Sequence, residues 1–133
     1  MDFELNEVQR QVQRTIREFV NKEVIPTASE LEHKDEYPHA LADRLKEMGL
    51  FGFLVSEKYG GSGMDYVSYA ILMEELSRGW MSLGGIIGSH GMTCWIIENY
   101  GTEEQKGRFL PDLAAGVRRS GMALTEPESG SDA

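Results

Sequence analysis

Cysteine and basic residues are scarce in this sequence of 133 residues. It contains one cysteine, Cys94, and 13 Lys and Arg residues against 22 Asp and Glu residues, which gives a formal net charge of −9. A single cysteine cannot form an internal disulfide, so we expect a reducing compartment. The one basic cluster, Arg118-Arg119, is two residues long. An acidic chain with so small a basic patch is predicted to have no nucleic-acid partner.

Long hydrophobic runs are also missing. The most apolar stretch, residues 83–97, is short and is interrupted by Gly, Ser, His and Thr, so we predict no membrane partner. The N-terminus, Met1-Asp2-Phe3-Glu4, is acidic where a signal peptide is basic. With an ordinary hydrophobic content of 41%, these absences predict a cytoplasmic globular domain.

Apolar residues recur at spacings of three and four, which predicts an all-α fold, a bundle of about five helices. The first helix is predicted from its N-cap, Asn6, to about Glu32, with a kink or break at Pro26. The second is predicted to begin at Pro38 and to end at Gly49. The apolar run that follows, residues 50–55, fits a strand or a buried turn equally well.

Three further helices are predicted in the second half. The third begins at an Asp65 cap and breaks at residues 78–80, and the fourth runs from Ser82 to Tyr100. The fourth is apolar nearly all round, so we expect it to be buried on several sides. The fifth begins at Thr102 in a capping box and ends near Leu110-Pro111, with another helical turn over residues 112–116.

The C-terminal residues differ from the rest of the chain. Residues 120–124 read as a short apolar strand, and residues 125–131 form a loop rich in hydroxyls and glycine. Hydroxyls and free backbone N–H groups in such loops bind anionic or heterocyclic ligands. Since the sequence stops at Ala133, we expect a fragment, with the remainder of the site on further chain.

Glycine occurs at two places where its function is open to interpretation. Gly60, Gly61 and Gly63 lack the Lys-Ser/Thr ending of a P-loop, which favours a turn that needs positive φ. Residues 84, 85 and 88 are glycines within the fourth helix, each at a cost of about 1 kcal/mol in helix propensity. That cost indicates a close approach there, either of a neighbouring helix or of a ligand in a pocket.

Few polar residues of the helices suggest catalysis. His90 has no second His, Cys or carboxylate at metal spacing, so we predict a core or pocket-edge histidine and no metal. Glu74 and Glu75 are adjacent and point in different directions on a helix, which argues against a catalytic carboxylate pair. Cys94 is predicted to be a small buried residue.

Four motifs in order resemble the acyl-CoA dehydrogenases, flavoenzymes that desaturate acyl-CoA thioesters. They are Glu-Lys-Tyr-Gly-Gly-Ser-Gly at 57–63, Tyr-Gly-Thr-Glu-Glu-Gln-Lys at 100–106, Leu-Pro-Asp-Leu-Ala-Ala-Gly at 110–116 and Ala-Leu-Thr-Glu-Pro-Glu-Ser-Gly-Ser-Asp at 123–132. The last motif is the most specific, and the resemblance covers the whole chain. It implies an N-terminal helical domain at residues 1–118, with the first strand of a following β-barrel domain beginning in residues 119–133.

The resemblance implies a longer FAD-dependent parent enzyme that oxidises acyl-CoA to trans-2-enoyl-CoA. A glutamate base removes the α-proton and the β-hydrogen leaves as hydride to the flavin. That catalytic base is expected in a C-terminal part that this sequence lacks, so we expect the fragment alone to be inactive. The implied electron acceptor is an electron-transferring flavoprotein, and the implied assembly is a homotetramer.

The site residues are carried over from the resemblance position by position. The cofactor-binding residues are Met122, Leu124, Thr125, Gly130 and Ser131. The substrate-binding residues are Ser131, Gly85, Gly88 and Met92. Two alternatives remain open: a non-catalytic helical interaction module, and an acyl-CoA oxidase or flavin monooxygenase relative. The glycines at 84, 85 and 88 favour a branched or cyclic acyl group.

Overall fold

The computed structural model describes residues 4–131, which form helices and loops. The helices are α1 (Glu7–Phe19), α2 (Ile25–His33), α3 (His39–Glu47), α4 (Tyr66–Gly79), α5 (Met81–Tyr100) and α6 (Glu103–Ala114). A π-helical turn, Val20–Val24, makes α1 and α2 one continuous segment, so the prediction of an all-α fold with about five helices is confirmed. Asp132 and Ala133, at the end of the fourth motif, and Met1-Asp2-Phe3 lie outside the described residues.

The predicted N-caps are confirmed by their hydrogen bonds. Asn6 Oδ1 accepts from the Gln9 backbone N–H at 2.9 Å, and Gln9 Oε1 accepts from the Asn6 N–H at 3.0 Å, which completes a capping box. Asp65 Oδ1 accepts from the Ser68 N–H at 2.9 Å, and Thr102 opens α6 with a second capping box. Each cap satisfies backbone donors that have no partner within the first turn of a helix.

The predicted break at Pro26 takes the form of the π-helical turn just before it. Proline has no N–H, so the carbonyl of Lys22 cannot receive the usual α-helical hydrogen bond from residue 26. The Ile25 N–H reaches back five residues to the Val20 carbonyl, which is the π-helical pattern. The chain therefore changes helix type at Pro26 and continues into α2.

The predicted end of α6 near Leu110-Pro111 is wrong, because the helix continues through Pro111 to Ala114. Leu110 and Leu113 are buried in the core together with Ala114, and the Ala115 N–H bonds to the Pro111 carbonyl at 3.0 Å. Burial of two leucines contributes more than an interior proline costs. The undecided stretch after Gly49 forms a buried 3₁₀ turn, Leu50–Gly52.

The strand predicted at residues 120–124 is absent from the described part of the chain. A strand needs a hydrogen-bonded neighbour, and here the segment lies against α5 instead. The Ser120 N–H bonds to His90 Nδ1 at 3.2 Å, and the Met122 N–H bonds to Ser89 Oγ at 3.4 Å. The residues that were predicted to begin a β-barrel therefore have no partner strand within residues 4–131.

The core lies where α4 packs between α1 and α5, with α6 packed on α5. Within residues 4–131, thirteen buried apolar residues form its main cluster, among them Val20, Leu45, Leu72, Leu76 and Leu83, each 0% exposed. A smaller cluster beneath α6 contains Val55, Cys94, Leu110, Leu113 and Ala114. In the part of the chain that the structure describes, no helix is both long and apolar enough to cross a membrane.

Among the side chains that the structure describes, one charged residue is buried within this packing. Glu75 of α4 is 1% exposed and accepts hydrogen bonds from Arg17 Nε at 3.0 Å and from Arg78 Nε at 3.1 Å. These bonds, Arg17's first, lower the pKa of Glu75 despite its burial. Glu74 is exposed, so the prediction that the two carboxylates do not form a pair is confirmed.

Glu75→Gln is expected to destabilise the chain by about 1–3 kcal/mol at pH 7, because charge-assisted hydrogen bonds to Arg17 and Arg78 are lost. A lowered folded-state pKa gives stability that is present above the ordinary glutamate pKa of about 4.3 and is lost as the pH falls through the folded value. Urea titrations should therefore show wild type and variant converging below about pH 4. Glu74→Gln is the control, and an equal loss in both variants would contradict the assignment.

Candidate functional site

An apolar groove of about 470 Å³ lies between α4 and α5. Its volume is in the range of small-molecule sites in proteins. It is lined by Leu54, Tyr66, Tyr69, Met73, Gly88, Gly91, Met92 and Trp95. The Trp95 indole N–H donates to the Tyr66 hydroxyl at 2.8 Å, so a hydrogen bond between two exposed aromatic side chains links α5 to α4 beside the groove.

Glycines on the α5 side of the groove create its depth. A Cβ on Gly88 would lie 3.2 Å from Met73 Cε, and one on Gly91 would lie 2.8 Å from the Tyr69 hydroxyl oxygen. Side chains at these two positions would occupy the space between the helices. Met92 also lines the groove. Of the predicted substrate-binding residues, the structure thus brings Gly88 and Met92 together.

The other two glycines of α5 have different surroundings. A Cβ on Gly84 would lie 2.5 Å from Ser77 Oγ, so this glycine permits close packing of α5 on α4. Gly85 is exposed, has open space around its Cβ position and is not among the groove-lining residues. Helix packing accounts for Gly84, the groove accounts for Gly88, and neither accounts for Gly85.

The predicted flavin-site loop brings Thr125 and Gly130 together. The Glu126 N–H donates to the Ser129 carbonyl at 3.0 Å and closes a turn. A Cβ on Gly130 would lie 3.6 Å from Thr125 Cγ2 and 3.8 Å from Thr125 Oγ1. Thr125 and Ser131 are exposed, so a hydroxyl on each side of the turn is accessible to a ligand.

Met122 and Leu124, the other predicted cofactor-binding residues, are 43% and 58% exposed. The Met122 N–H is directed at Ser89 Oγ of α5, and a Cβ on Gly121 would lie 3.1 Å from the same oxygen. Ser89 is the neighbour of Gly88 in α5. The predicted flavin segment therefore meets the helix at the level of the groove.

His90 lies beneath this segment and is 1% exposed. Its Nε2 lies 3.2 Å from the Leu113 carbonyl and 3.3 Å from Cys94 Sγ, and its Nδ1 lies 3.2 Å from the Ser120 nitrogen. Phe51 packs edge-on against the ring at 5.0 Å between centroids. Burial lowers the pKa of His90, which keeps the imidazole neutral at pH 7. The prediction of a satisfied core or pocket-edge histidine is confirmed.

The remaining reactive groups do not assemble a second chemical site. Burial, followed by the charge of Glu98, raises the pKa of Cys94 to about 11, so the thiol is not a nucleophile at neutral pH. Among residues 4–131, no group of three His, Cys, Asp or Glu side chains is placed to hold a metal ion.

The glycine-rich loop at 57–63 is a structural turn. Gly60 and Gly63 adopt positive φ values of 84° and 56°, as predicted for a turn of this composition. Glu98 of α5 accepts from the Ser56 N–H at 3.2 Å, and Lys58 Nζ bonds to Glu103 of α6 at 2.9 Å. The loop is thereby fixed to both helices, with its backbone donors turned inward.

Sequence reasoning missed Ser89 and most of the residues that line the groove. Tyr66 and Tyr69 line the groove, but a tyrosine at helical spacing looks the same whether it faces the core or a cavity. Ser89 receives the C-terminal segment, a contact between residues 33 positions apart for which the sequence carries no local signal.

The apolar groove and the donor-rich segment thus lie side by side along α5. Residues 6–117 match the family model described as "Acyl-CoA dehydrogenase, N-terminal domain". The chain belongs to this family.

Known proteins resemble the chain over nearly its whole length. The short-chain specific acyl-CoA dehydrogenase of Clostridium acetobutylicum is 38% identical over 133 residues, which is 99% of this chain and 35% of that protein. The structure of butyryl-CoA dehydrogenase from Megasphaera elsdenii superposes with a TM-score of 0.92 at 34% identity, over 99% of this chain and 36% of that one. A glutaryl-CoA dehydrogenase from Mycobacterium smegmatis in complex with FADH2 gives a TM-score of 0.87 at 32% identity, over 96% and 33%. The chain thus spans about a third of the length of the curated relatives it matches.

Proposed function

We propose that this chain is the helical N-terminal part of an FAD-dependent acyl-CoA dehydrogenase that converts acyl-CoA to trans-2-enoyl-CoA. In this proposal, residues 1–118 form the helical domain and residues 119–133 begin a β domain that continues beyond them. The observation that supports it best is the meeting of the apolar groove with the donor-rich segment along α5, at Gly88 and Ser89. An acyl-CoA oxidised by a flavin needs such a neighbourhood, because its acyl chain is apolar and its reacting carbons must lie against the cofactor.

The groove suits the acyl chain. Its lining consists of aromatic, aliphatic and thioether side chains together with glycine, and none of the described residues that line it carries a charge. Burying methylene groups in such a lining contributes about 0.8 kcal/mol per CH₂. Gly88 and Met92 would form the wall on the α5 side, opposite Tyr69 and Met73 of α4.

The donor set of residues 122–131 fits a flavin nucleotide. Thr125 offers an exposed hydroxyl, and the turn places the backbone of Gly130 beside it, followed by the Ser131 hydroxyl. Neutral donors of this kind stabilise negative charge on ring oxygens and phosphates. Residues 120–131 contain no Lys or Arg, so positive charge for the pyrophosphate must come from elsewhere in the parent protein.

FAD supplies the hydride acceptor for this chemistry. The segment of this chain would orient the cofactor through Thr125 and the backbones of Met122 and Leu124, and it would hold the thioester and phosphates through Gly130 and Ser131. The groove would exclude water from the acyl carbons. The α-proton is removed by a glutamate that we assign to a part of the parent outside this chain.

We also assign the parent three properties that the family resemblance implies or the composition favours. Its electron acceptor is an electron-transferring flavoprotein, it assembles as a homotetramer, and it works in the cytoplasm. The exposed apolar residues of α5, including Met81 at 77% and Tyr100 at 76%, are consistent with further contacts in an assembly.

The proposal is tested by expressing the complete reading frame that encodes this chain. We expect the purified protein to hold one FAD per subunit and to lose its flavin colour when an acyl-CoA is added without oxygen. Electron-transferring flavoprotein and oxygen are then offered separately as acceptors, and rapid transfer to oxygen would favour an oxidase. A reading frame that ends at Ala133, or a longer protein without flavin, would favour the helical interaction module.

Gly88→Ala is expected to reduce kcat/KM for branched and cyclic acyl-CoA substrates about tenfold, which corresponds to about 1.4 kcal/mol. The added Cβ would lie 3.2 Å from Met73 Cε, so the Met73 side chain must shift and the groove becomes narrower at that point. A straight four-carbon substrate should change less than about twofold, well below the roughly tenfold or more that one methylene is worth in a hydrophobic pocket. Gly85→Ala is the matched control, since its Cβ meets open space. Equal losses on all substrates in the Gly88 variant would contradict a role in shape selection.

A further inference from the structure

We propose that His90 is a positioning residue for the cofactor segment: its Nδ1 accepts the Ser120 N–H and thereby fixes where residues 120–125 lie against α5. The expected effect on FAD binding rests on the proposed function, because that segment is assigned to the flavin. The hydrogen bond between His90 and Ser120 involves only residues of this chain.

The hydrogen-bond partners determine the tautomer of His90. The Leu113 carbonyl can only accept, so Nε2, 3.2 Å away, must carry the proton. The Ser120 backbone nitrogen can only donate, so Nδ1 must be the unprotonated acceptor. The Ser120 hydroxyl, 3.3 Å from Nδ1, donates to the same atom. A neutral imidazole with its proton on Nε2 satisfies all of these contacts at once.

The ring cannot turn to follow the segment. It is 1% exposed, is held at Nε2 by the last turn of α6, and is packed edge-on against Phe51 with an interplanar angle of 81°. Nδ1 is therefore a fixed point presented by the core. The Ser120 N–H binds at that point, and the chain that follows takes its position from there.

The next contact fixes the direction of the segment. The Met122 N–H points to Ser89 Oγ, and Ser120 and Met122 are two residues apart. These two contacts hold the segment against α5 at two points, and a slip of one residue would break both. The Ser120 contact is 3.2 Å long and the Met122 contact is 3.4 Å long, and His90 makes the first of them along the segment.

Two substitutions separate the functions of the ring nitrogens. In His90→Asn, the side-chain oxygen lies near the position of Nδ1 and can still accept from Ser120, while the bond to Leu113 is lost. In His90→Gln, the side-chain N–H lies near the position of Nε2 and can still donate to Leu113, while the acceptor for Ser120 is lost. Both variants leave a polar side chain that makes one of the two original hydrogen bonds.

The experiment uses the full-length flavoprotein and three readouts: amide hydrogen exchange over residues 118–126, the FAD dissociation constant of the reconstituted apoprotein, and the flavin absorption spectrum. We expect His90→Gln to accelerate exchange at Ser120 and Met122 and to weaken FAD binding about tenfold, with a shifted spectrum. We expect His90→Asn to stay within about threefold of wild type in FAD binding, which is under 1 kcal/mol.

The outcomes distinguish the inference from the proposed function. Equal changes in the two variants would show that His90 acts only as a packed core residue and would overturn the inference. Wild-type protein without flavin would overturn the proposed function, while amide exchange would still test the hydrogen bond. If His90→Gln does not fold, Ser120→Pro removes the donor from the other side of the bond, and unchanged exchange at Met122 in that variant would overturn the inference as well.

Discussion

Gly61→Ala is expected to destabilise the chain by about 3 kcal/mol or more, at the upper end of what overpacking costs. A Cβ at this position would lie 1.9 Å from the Val55 carbonyl oxygen and 2.5 Å from its carbonyl carbon. These are backbone atoms, so no rotamer change can relieve the overlap. The loop must open, although Gly61 does not have the positive φ of its neighbours Gly60 and Gly63.

Opening that loop breaks several hydrogen bonds together. The backbone N–H groups of Gly61, Ser62, Gly63 and Met64 bond to carbonyls of residues 52–56 at distances from 2.8 to 3.1 Å. The change is measured as the midpoint of urea unfolding of the chain by circular dichroism. Gly107→Ala is the matched control: it lies exposed in α6 with open space around its Cβ, and we expect it to gain up to about 1 kcal/mol. A Gly61 variant as stable as this control would show that the loop is more tolerant than its packing indicates.

Local sequence signals predicted the helices well, because capping is a local interaction. Asn6, Asp65 and Thr102 each accept from a backbone N–H only three residues ahead, so both partners of each bond lie within one short stretch of sequence. Gly49 at φ 72° ended α3 for a reason equally visible in the sequence. The error at Pro111 arose because burial of Leu110 and Leu113, a tertiary effect, opposed the local preference of proline.

The apolar surface of α5 was not interpretable from periodicity alone. The helix was expected to be buried on several sides, and Leu83, Ile87 and Cys94 are buried, but Met81 and Tyr100 are largely exposed. An apolar face looks the same in sequence whether it meets its own chain, a ligand or another subunit. The strand expected at residues 120–124 depends likewise on long-range contacts, because a strand needs a hydrogen-bonded neighbour and no other segment of residues 4–131 forms one.

The residues of the candidate site were predicted by resemblance, and the structure brings some of them together but not others. Thr125 and Gly130 lie side by side at a closed turn, and Gly88 and Met92 line one groove, whereas Gly85 lies outside its lining. Helical spacing alone does not explain this difference, because residues 85, 88 and 92 are at i, i+3 and i+7 on one face of α5. That these residues bind FAD and acyl-CoA stays a prediction.

Gly79→Ala is expected to cost about 1–3 kcal/mol, the second large effect, because it overpacks the contact between the end of α4 and the π-helical turn. A Cβ on Gly79 would lie 2.5 Å from Val20 Cγ1 and 3.2 Å from Val24 Cγ1. Val20 is 0% exposed, and a β-branched side chain has little rotamer freedom with which to move aside. The turn made necessary by Pro26 therefore depends on a glycine more than fifty residues later in the sequence.

A double-mutant cycle isolates this contact. Val20→Ala alone should cost about 2 kcal/mol for the buried methyl groups that it removes. In the Val20→Ala background, however, the new Cβ at residue 79 no longer meets Cγ1, so Gly79→Ala should cost little. The coupling energy from urea titrations of the four proteins should be about 1–3 kcal/mol and favourable, since the two residues share one contact. Additive losses would mean that Gly79 is required for another reason, such as the extended backbone of Trp80 that turns the chain into α5.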